Sequence, residues 1–315
     1  MIMRRREMLA AAAASALPFA AAAQQRAMRI VVPYPPGGGA DMLARAFAAH
    51  VGPRIGRTIV VENRPGATGT IGALAVARAA PDGDTVLQAD SAPMSIQPLA
   101  NRLSYGPEDF QPVARLVTSP VVLATRREAR FCDLADVVAQ AKADPGRITY
   151  ATSGILSHFH LAIERFAQLA DIELTHVPFQ GTAPGIVAAI AGQVDLVAAP
   201  PASLQDQGSA AQLRPIASMT ETPVPELPGT PTFRESGIAL VFEGWRGLFL
   251  PRGASAAVIA ALERATLQAF AETGFVEQAQ RIGETPAPLG AEAFARFWAA
   301  DRATVQQLLP RLPRN

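Results

Sequence analysis

The run Val31-Val32-Pro33-Tyr34-Pro35-Pro36-Gly37-Gly38-Gly39-Ala40-Asp41 places prolines and glycines just ahead of an apolar periodicity. Such a loop can do one kind of chemistry without a reactive side chain. Glycine lets a backbone approach a ligand closely, and a helix N-terminus offers unpaired N–H groups with a partial positive charge, so the loop can hold an anion. It can equally be a tight turn with Asp41 capping the helix, and spacing alone leaves the two readings even. Asp41 also precedes Arg45 by four residues, the spacing of an intrahelical ion pair. Two further stretches share the form: Tyr150-Ala151-Thr152-Ser153-Gly154-Ile155-Leu156-Ser157-His158, and Phe179-Gln180-Gly181-Thr182-Ala183-Pro184, whose Pro184 suits a first helical turn.

The reactive side chains do not assemble into a catalytic pattern. A dinucleotide fingerprint would need glycine where Met42 stands, and a P-loop would need a lysine after the glycines, whereas the lysine of this chain is Lys142. His158 and His160 are two apart on a helix, so they point to different faces, and no second pair stands at metal-ligand spacing. Ser157 lies beside His158 without a G-x-S-x-G elbow. His50 and His176 take a core or surface assignment, and Cys132, which has no second cysteine to pair with, reads as a small buried hydrophobe. Glu62-Asn63-Arg64-Pro65-Gly66 reads as turn chemistry closing a strand. No enzyme, metal or cofactor is expected.

The elements that must position these loops follow from the hydrophobic pattern. Arg29-Ile30-Val31-Val32 reads as a buried strand, and Leu43, Ala46, Phe47 and Val51 recur at helical spacing behind the glycines. Thr58–Val61 is a strand, 70–80 a helix and Thr85–Gln88 a strand, with Asp82-Gly83 as a turn. Val121–Ala124, Ile148–Ala151, Thr175–Pro178, Val194–Val197, Pro215–Ala217 and Gly247–Leu250 continue the alternation, which ends in helices from Ala254 onward. Alternating strands and helices predict an α/β fold of βαβ units with parallel-dominated sheets. Ligands of such sheets sit beyond the carboxyl ends of the strands, where the glycine loops lie, so loops in two halves of the chain suggest a cleft between two lobes.

A chain of 315 residues has room for two lobes, and 49% hydrophobic with 17% charged residues suits a packed globular protein. A net charge of +1 gives no footprint for nucleic acid or a membrane surface. Arg4-Arg5-Arg6, an alanine-rich apolar stretch and the A-x-A of Ala21 to Ala23 predict a signal peptide over residues 1–23, with Arg5-Arg6 resembling a twin-arginine signal. The expected address is periplasmic.

The string from Val32 to Asp41 resembles the signature of the Bug-type receptors, the periplasmic substrate-binding proteins of tripartite tricarboxylate transporters. The resemblance continues through Val61–Ala67, Ile71-Gly72, Pro81-Asp82-Gly83, Ser153-Gly154 with Ser157 and His160-Leu161, Val177-Pro178-Phe179 with Gly181, Gly192–Asp195 and Leu227–Thr232. It implies a two-lobed Venus-flytrap fold of the type II periplasmic-binding class, closing on a small organic carboxylate for delivery to membrane permease subunits. It also implies a monomer without enzymatic activity, with lobe one over 24–123 plus 223–315 and lobe two over 124–222. Carried onto this chain, the first grip is Tyr34, Gly37, Gly38, Gly39 and Asp41, aided by Ser91 and Ala92. The second is Ser153, Gly154, Ser157 and His158, flanked by Phe179, Thr182 and Asp195. The rival readings are a two-lobed α/β enzyme acting on a carboxylated substrate and a receptor that signals to a membrane sensor.

Two departures from the family pattern bear on the ligand. Leu156 stands where the family often has glycine, and Phe179-Gln180 where it has Tyr-Lys. If both face the cleft, an acid with one carboxylate and an apolar ring is expected. If Leu156 turns into the core and Phe179 packs beneath its loop, that expectation lapses.

Overall fold

A computed structural model describes residues 27–179, 181–205 and 210–311. The expected signal peptide and Gln180 lie outside the described residues. Among the described residues eleven strands form two sheets. The first, in the order β11-β4-β10-β3-β1-β2, comprises β1 (Met28–Val32), β2 (Ile59–Asn63), β3 (Thr85–Asp90), β4 (Phe110–Ser119), β10 (Gly244–Pro251) and β11 (Thr285–Gly290). The second, β7-β6-β8-β5-β9, comprises β5 (Val122–Arg126), β6 (Thr149–Thr152), β7 (Thr175–Pro178), β8 (Leu196–Ala199) and β9 (Leu213–Ser218).

The two-lobed α/β architecture stands, but both sheets are mixed and not parallel-dominated. β1 runs parallel to β2 and β3, and β6 parallel to β7 and β8, with a helix between each pair of successive strands as βαβ units require. The strands next to the lobe crossings break the pattern: β10 is antiparallel to β3 and β4, and β5 antiparallel to β8 and β9. The chain leaves the first sheet at Ser119 and enters the second at Val122, too short a link for a crossover helix. Beyond β9, Val224, Leu227, Phe233 and Leu240 pack with the second lobe's cores, past the expected boundary at 222, before the chain re-enters the first sheet at Gly244.

The first core packs Ile30, Val32, Leu43, Phe47, Leu248 and Leu250, all buried, so the β-branched strand and the apolar stripe behind the glycines serve one interior. Helix α1 (Gly39–Val51) covers that face together with α6 (Ala256–Phe270). Between them in sequence lie α2 (Thr70–Ala77), α3 (Leu134–Ala143), α4 (His158–Ala170) and α5 (Thr182–Ile190). After α6 come α7 (Thr273–Arg281) and α8 (Ala291–Leu308). On the other face Trp245, Phe249, Phe294 and Trp298 interlock edge to face, with the Phe249 and Trp298 centroids 4.9 Å apart. Ile96, Leu161 and Val305 form a small cluster that ties α4 of the second lobe to the first.

Cys132 is exposed, contrary to expectation. Phe131 takes the core position, and the next residue, turned outward before the Asp133 cap of α3, donates its backbone N–H to Asp136.

Candidate functional site

The first loop is shaped by a buried carboxylate. Asp41 is 3% exposed and accepts from the Gly37 N–H at 2.9 Å, from Arg45 Nε and Nη2 at 2.9 and 3.0 Å, and from Asn63 Nδ2 at 3.0 Å. The Arg45 hydrogen bonds in particular hold its carboxyl below the usual range. Asp41 therefore braces the loop from behind, and the Arg45 partnership has the predicted spacing. Gly37 adopts φ +83, a conformation that favours glycine. The N-cap of α1 is Gly38, which has no side chain to satisfy the first-turn N–H groups, so the loop presents backbone donors.

Tyr34 turns its hydroxyl to Asp90 Oδ1 at 2.8 Å, and the same oxygen accepts the Ala92 N–H at 3.0 Å. Burial raises the Asp90 carboxyl above its ordinary value against the pull of Arg246, and burial beside Asp90 raises the Tyr34 phenol far above its own. Ser91 is 4% exposed, and its Oγ is buried without a partner among the described residues. Ala92 opens a π-helical turn to Ile96.

In the second lobe the strand-loop-helix form recurs. Gly154 has φ +141, and the Ser157 hydroxyl caps α4 by accepting the His160 N–H at 3.2 Å. The α5 start has Gly181 as its N-cap with no side-chain cap, its N–H bonded to Ser153 O at 3.3 Å, and Thr182 half-buried beside it. His158 rests on β10: a Cβ added at Gly244 would lie 2.8 Å from its ring. Burial first, and Arg246 second, depress His158 to about 3, so its ring is neutral, with Nε2 buried and unpartnered. The two lobes' loops thus converge on the Gly244–Arg246 end of β10, since Gly39 approaches Glu284, the partner of Arg246.

Asp195 does not join them. It accepts the Thr149 N–H and hydroxyl, both at 2.9 Å, at the start of β6. Ser153 follows the other end of that strand, about 13 Å away at a rise of ~3.3 Å per residue. Phe179 packs against the Ala151–Ile186 core, and Leu156 against the Ile96–Leu161–Val305 cluster. Leu156 does so at φ +57, which explains why glycine suits that position. The apolar faces of both serve packing, so the ring-bearing acid loses its premise.

Sequence reasoning missed Arg246, Glu284 and Ser119. Arg246 pairs with Glu284 and donates to Ser119 Oγ at 3.3 Å, while the Ser119 hydroxyl donates to the other Glu284 oxygen. A lone cation in an apolar strand was the one signal available. It also missed that His160 and His176, from separate elements, stack at 3.9 Å between centroids. Among the described residues no cluster suited to a metal ion occurs, and no helix is long and apolar enough to cross a membrane.

Residues 43–312 match the model of the tripartite tricarboxylate transporter family receptor. The protein BugT of Bordetella pertussis is 32% identical over 263 residues, covering 81% of this chain and 79% of that one. A TctC solute-binding protein from Polaromonas superposes with a TM-score of 0.80 at 29% identity, over 91% of this chain and 99% of that one. An R. palustris protein solved with adipate gives a TM-score of 0.79 at 27% identity, over 91% and 98% of the two chains.

Proposed function

This chain belongs to the tripartite tricarboxylate transporter receptor family, a family of solute-binding receptors and not of enzymes, and on that footing we propose that it binds a small organic carboxylate in the cleft between its lobes. It then delivers the acid to the membrane permease subunits of a tripartite transporter. One observation carries the ligand class: α1 starts at Gly38 without a side-chain cap, beside a loop that Asp41 holds open from behind. Backbone donors at an uncapped helix start stabilise a carboxylate. The adipate bound by the R. palustris relative supports the same class.

In this proposal Tyr34, the Gly37–Gly39 backbone, Ser91 and Ala92 grip from the first lobe. Ser153, Gly154, Ser157, His158 and Thr182 grip from the second. Asp41 positions the first loop, and Asp195 and Phe179 support the second lobe. The hinge lies where the chain crosses between sheets, at 119–122 and near Gly244. Residues 1–23 are the export signal to the periplasm, and the receptor acts as a monomer. A thermal-shift screen against carboxylic acids tests the ligand class, because binding to the native state raises apparent stability by mass action. A rise in Tm with adipate or succinate is expected; no rise with any acid, and a rise with neutral sugars or amines instead, would overturn it.

A further inference from the structure

Gly244 and Arg246 are two apart on β10 and share a face, and His158 of the second lobe lies against Gly244 on that face. Arg246 stands opposite Asp90 in the β10–β3 register; Asp90 is one residue before the Ser91 turn on β3, and Arg246 is two after the Gly244 contact with His158 on β10. Its side chain is 16% exposed. The guanidinium makes its hydrogen bonds through Nη1, with the Asp90 carboxyl acting on it only electrostatically. Nη1 pairs with Glu284 and donates to Ser119, whereas among the described residues Nε is buried with no acceptor and Nη2 makes no hydrogen bond. Asp90, the nearest alternative anion, is engaged by the Tyr34 hydroxyl and the Ala92 N–H.

Arg45 gives the contrast. It directs the same Nε–Nη2 edge at Asp41, the planar two-pronged geometry that a carboxylate matches. A buried ion pair with only a structural role would be expected to use that edge too, because a buried N–H left unmade is costly. Here that edge has no acceptor among the described residues, and two more buried polar atoms without a described partner lie on adjoining segments: Ser91 Oγ, next to Asp90, and His158 Nε2, whose ring Arg246 acts on electrostatically. Building on the receptor function above, we propose that the Nε–Nη2 edge of Arg246 grips a second carboxylate of the ligand, with Glu284 and Ser119 as positioning residues and Ser91 and His158 flanking. Arg246 is then the residue that selects a dicarboxylate over its monocarboxylate homologue. The Cβ direction of Gly39 ends 3.9 Å from Glu284 Oε1, so the α1 start and the Arg246–Glu284 pair belong to one neighbourhood. The Nε–Nη2 edge is not the one turned to Glu284, so a ligand with a few methylenes between its carboxylates is the kind that reaches from the α1 start to it.

Calorimetric titration of the full chain with adipate, hexanoate, succinate and butyrate tests the assignment. In the wild type each diacid binds about 10- to 100-fold tighter than its monoacid partner, the size of a charge-assisted hydrogen bond in a site. In Arg246→Gln that ratio collapses towards one. Should the single variant fail to fold because Glu284 is left unpaired, Arg246→Gln with Glu284→Gln restores a neutral hydrogen-bonding pair and shows the same collapse. A preserved ratio in the double variant, or a wild type that binds hexanoate as tightly as adipate, overturns the role of Arg246 and leaves the receptor function standing. A wild type that binds none of the four acids overturns the role of Arg246, and one that in addition shows no thermal shift with any carboxylic acid overturns the receptor function.

Discussion

Replacing Asp41 by Ala isolates the brace behind the first loop. The side chain is 3% exposed and accepts four hydrogen bonds, but they do not weigh equally. Arg45 is 57% exposed, so it regains water when its partner goes, and an exposed i,i+4 pair contributes little. Asn63 keeps its bond to Tyr34 O at 3.1 Å, and the exposed Gly37 N–H turns to solvent. What remains is the loss of two hydrogen bonds to a charged acceptor at partly hydrated sites, which places the cost at about 2–3 kcal/mol. Asp41→Asn should cost as much, because its amide would face the four donor groups that a carboxylate satisfies. The folded carboxyl lies below its unfolded value, so its contribution is complete above about pH 4 and fades as pH falls through the folded value. Urea unfolding of wild type and both variants at pH 7 and at pH 3 measures this. The gap should be complete at neutrality and narrower in acid. A variant that unfolds at the wild-type urea concentration at pH 7 would refute the reasoning.

Gly38→Val should abolish adipate binding while the unfolding midpoint stays within about 1 kcal/mol of wild type, since Gly38 has φ −81 and a Cβ there meets only Pro35 O at 3.8 Å; a binding-competent variant in calorimetry would contradict the first grip. His158 and His160 are depressed to about 3 and His176 to about 4, in each case mainly by burial. Below about pH 6.5 the unfolded chain therefore binds protons that the fold excludes, and Tm should fall from pH 6.5 to 4, with a shallower slope in His176→Gln. Equal slopes would show that the stacked pair does not govern acid stability. Exposed Cys132 should react with a thiol reagent in the native protein, one equivalent by mass; labelling that requires denaturant would place the thiol inside. Exported material should begin near Gln24 by intact mass, and a chain retaining Arg4 to Arg6 would count against the signal peptide.

Local pattern determined a good deal. The run Ile30-Val31-Val32, almost wholly buried, could only be an interior strand, and the apolar spacing behind Gly39 could only be a helix packed against it. The family motif string is itself local, and it named the receptor class. Prolines hid one strand: β11 contains Pro286 and Pro288, which its edge position tolerates because one side of its ladder goes unpaired. The mixed character of both sheets was equally hidden, since strand direction at the crossings depends on how two lobes join and not on any residue within the strands.

The site divides in the same way. The open donors of α1 follow from Gly38 at a helix start, where backbone geometry alone leaves N–H groups unpaired, and the sequence displays that directly. Whether Leu156 faced ligand or core was open until its contacts with Ile96 and Val305 appeared, and those residues are remote in sequence. Arg246, Glu284, Ser119 and His158 come from four separate stretches of chain and meet only when β10 aligns with β3 and the second lobe closes on Gly244. Backbone donors at a helix start are set by neighbouring residues, but a buried charge is tolerated only where tertiary packing supplies its partner. The uncapped helix start was therefore readable from the chain, and the partnering of Arg246 was decided by the fold.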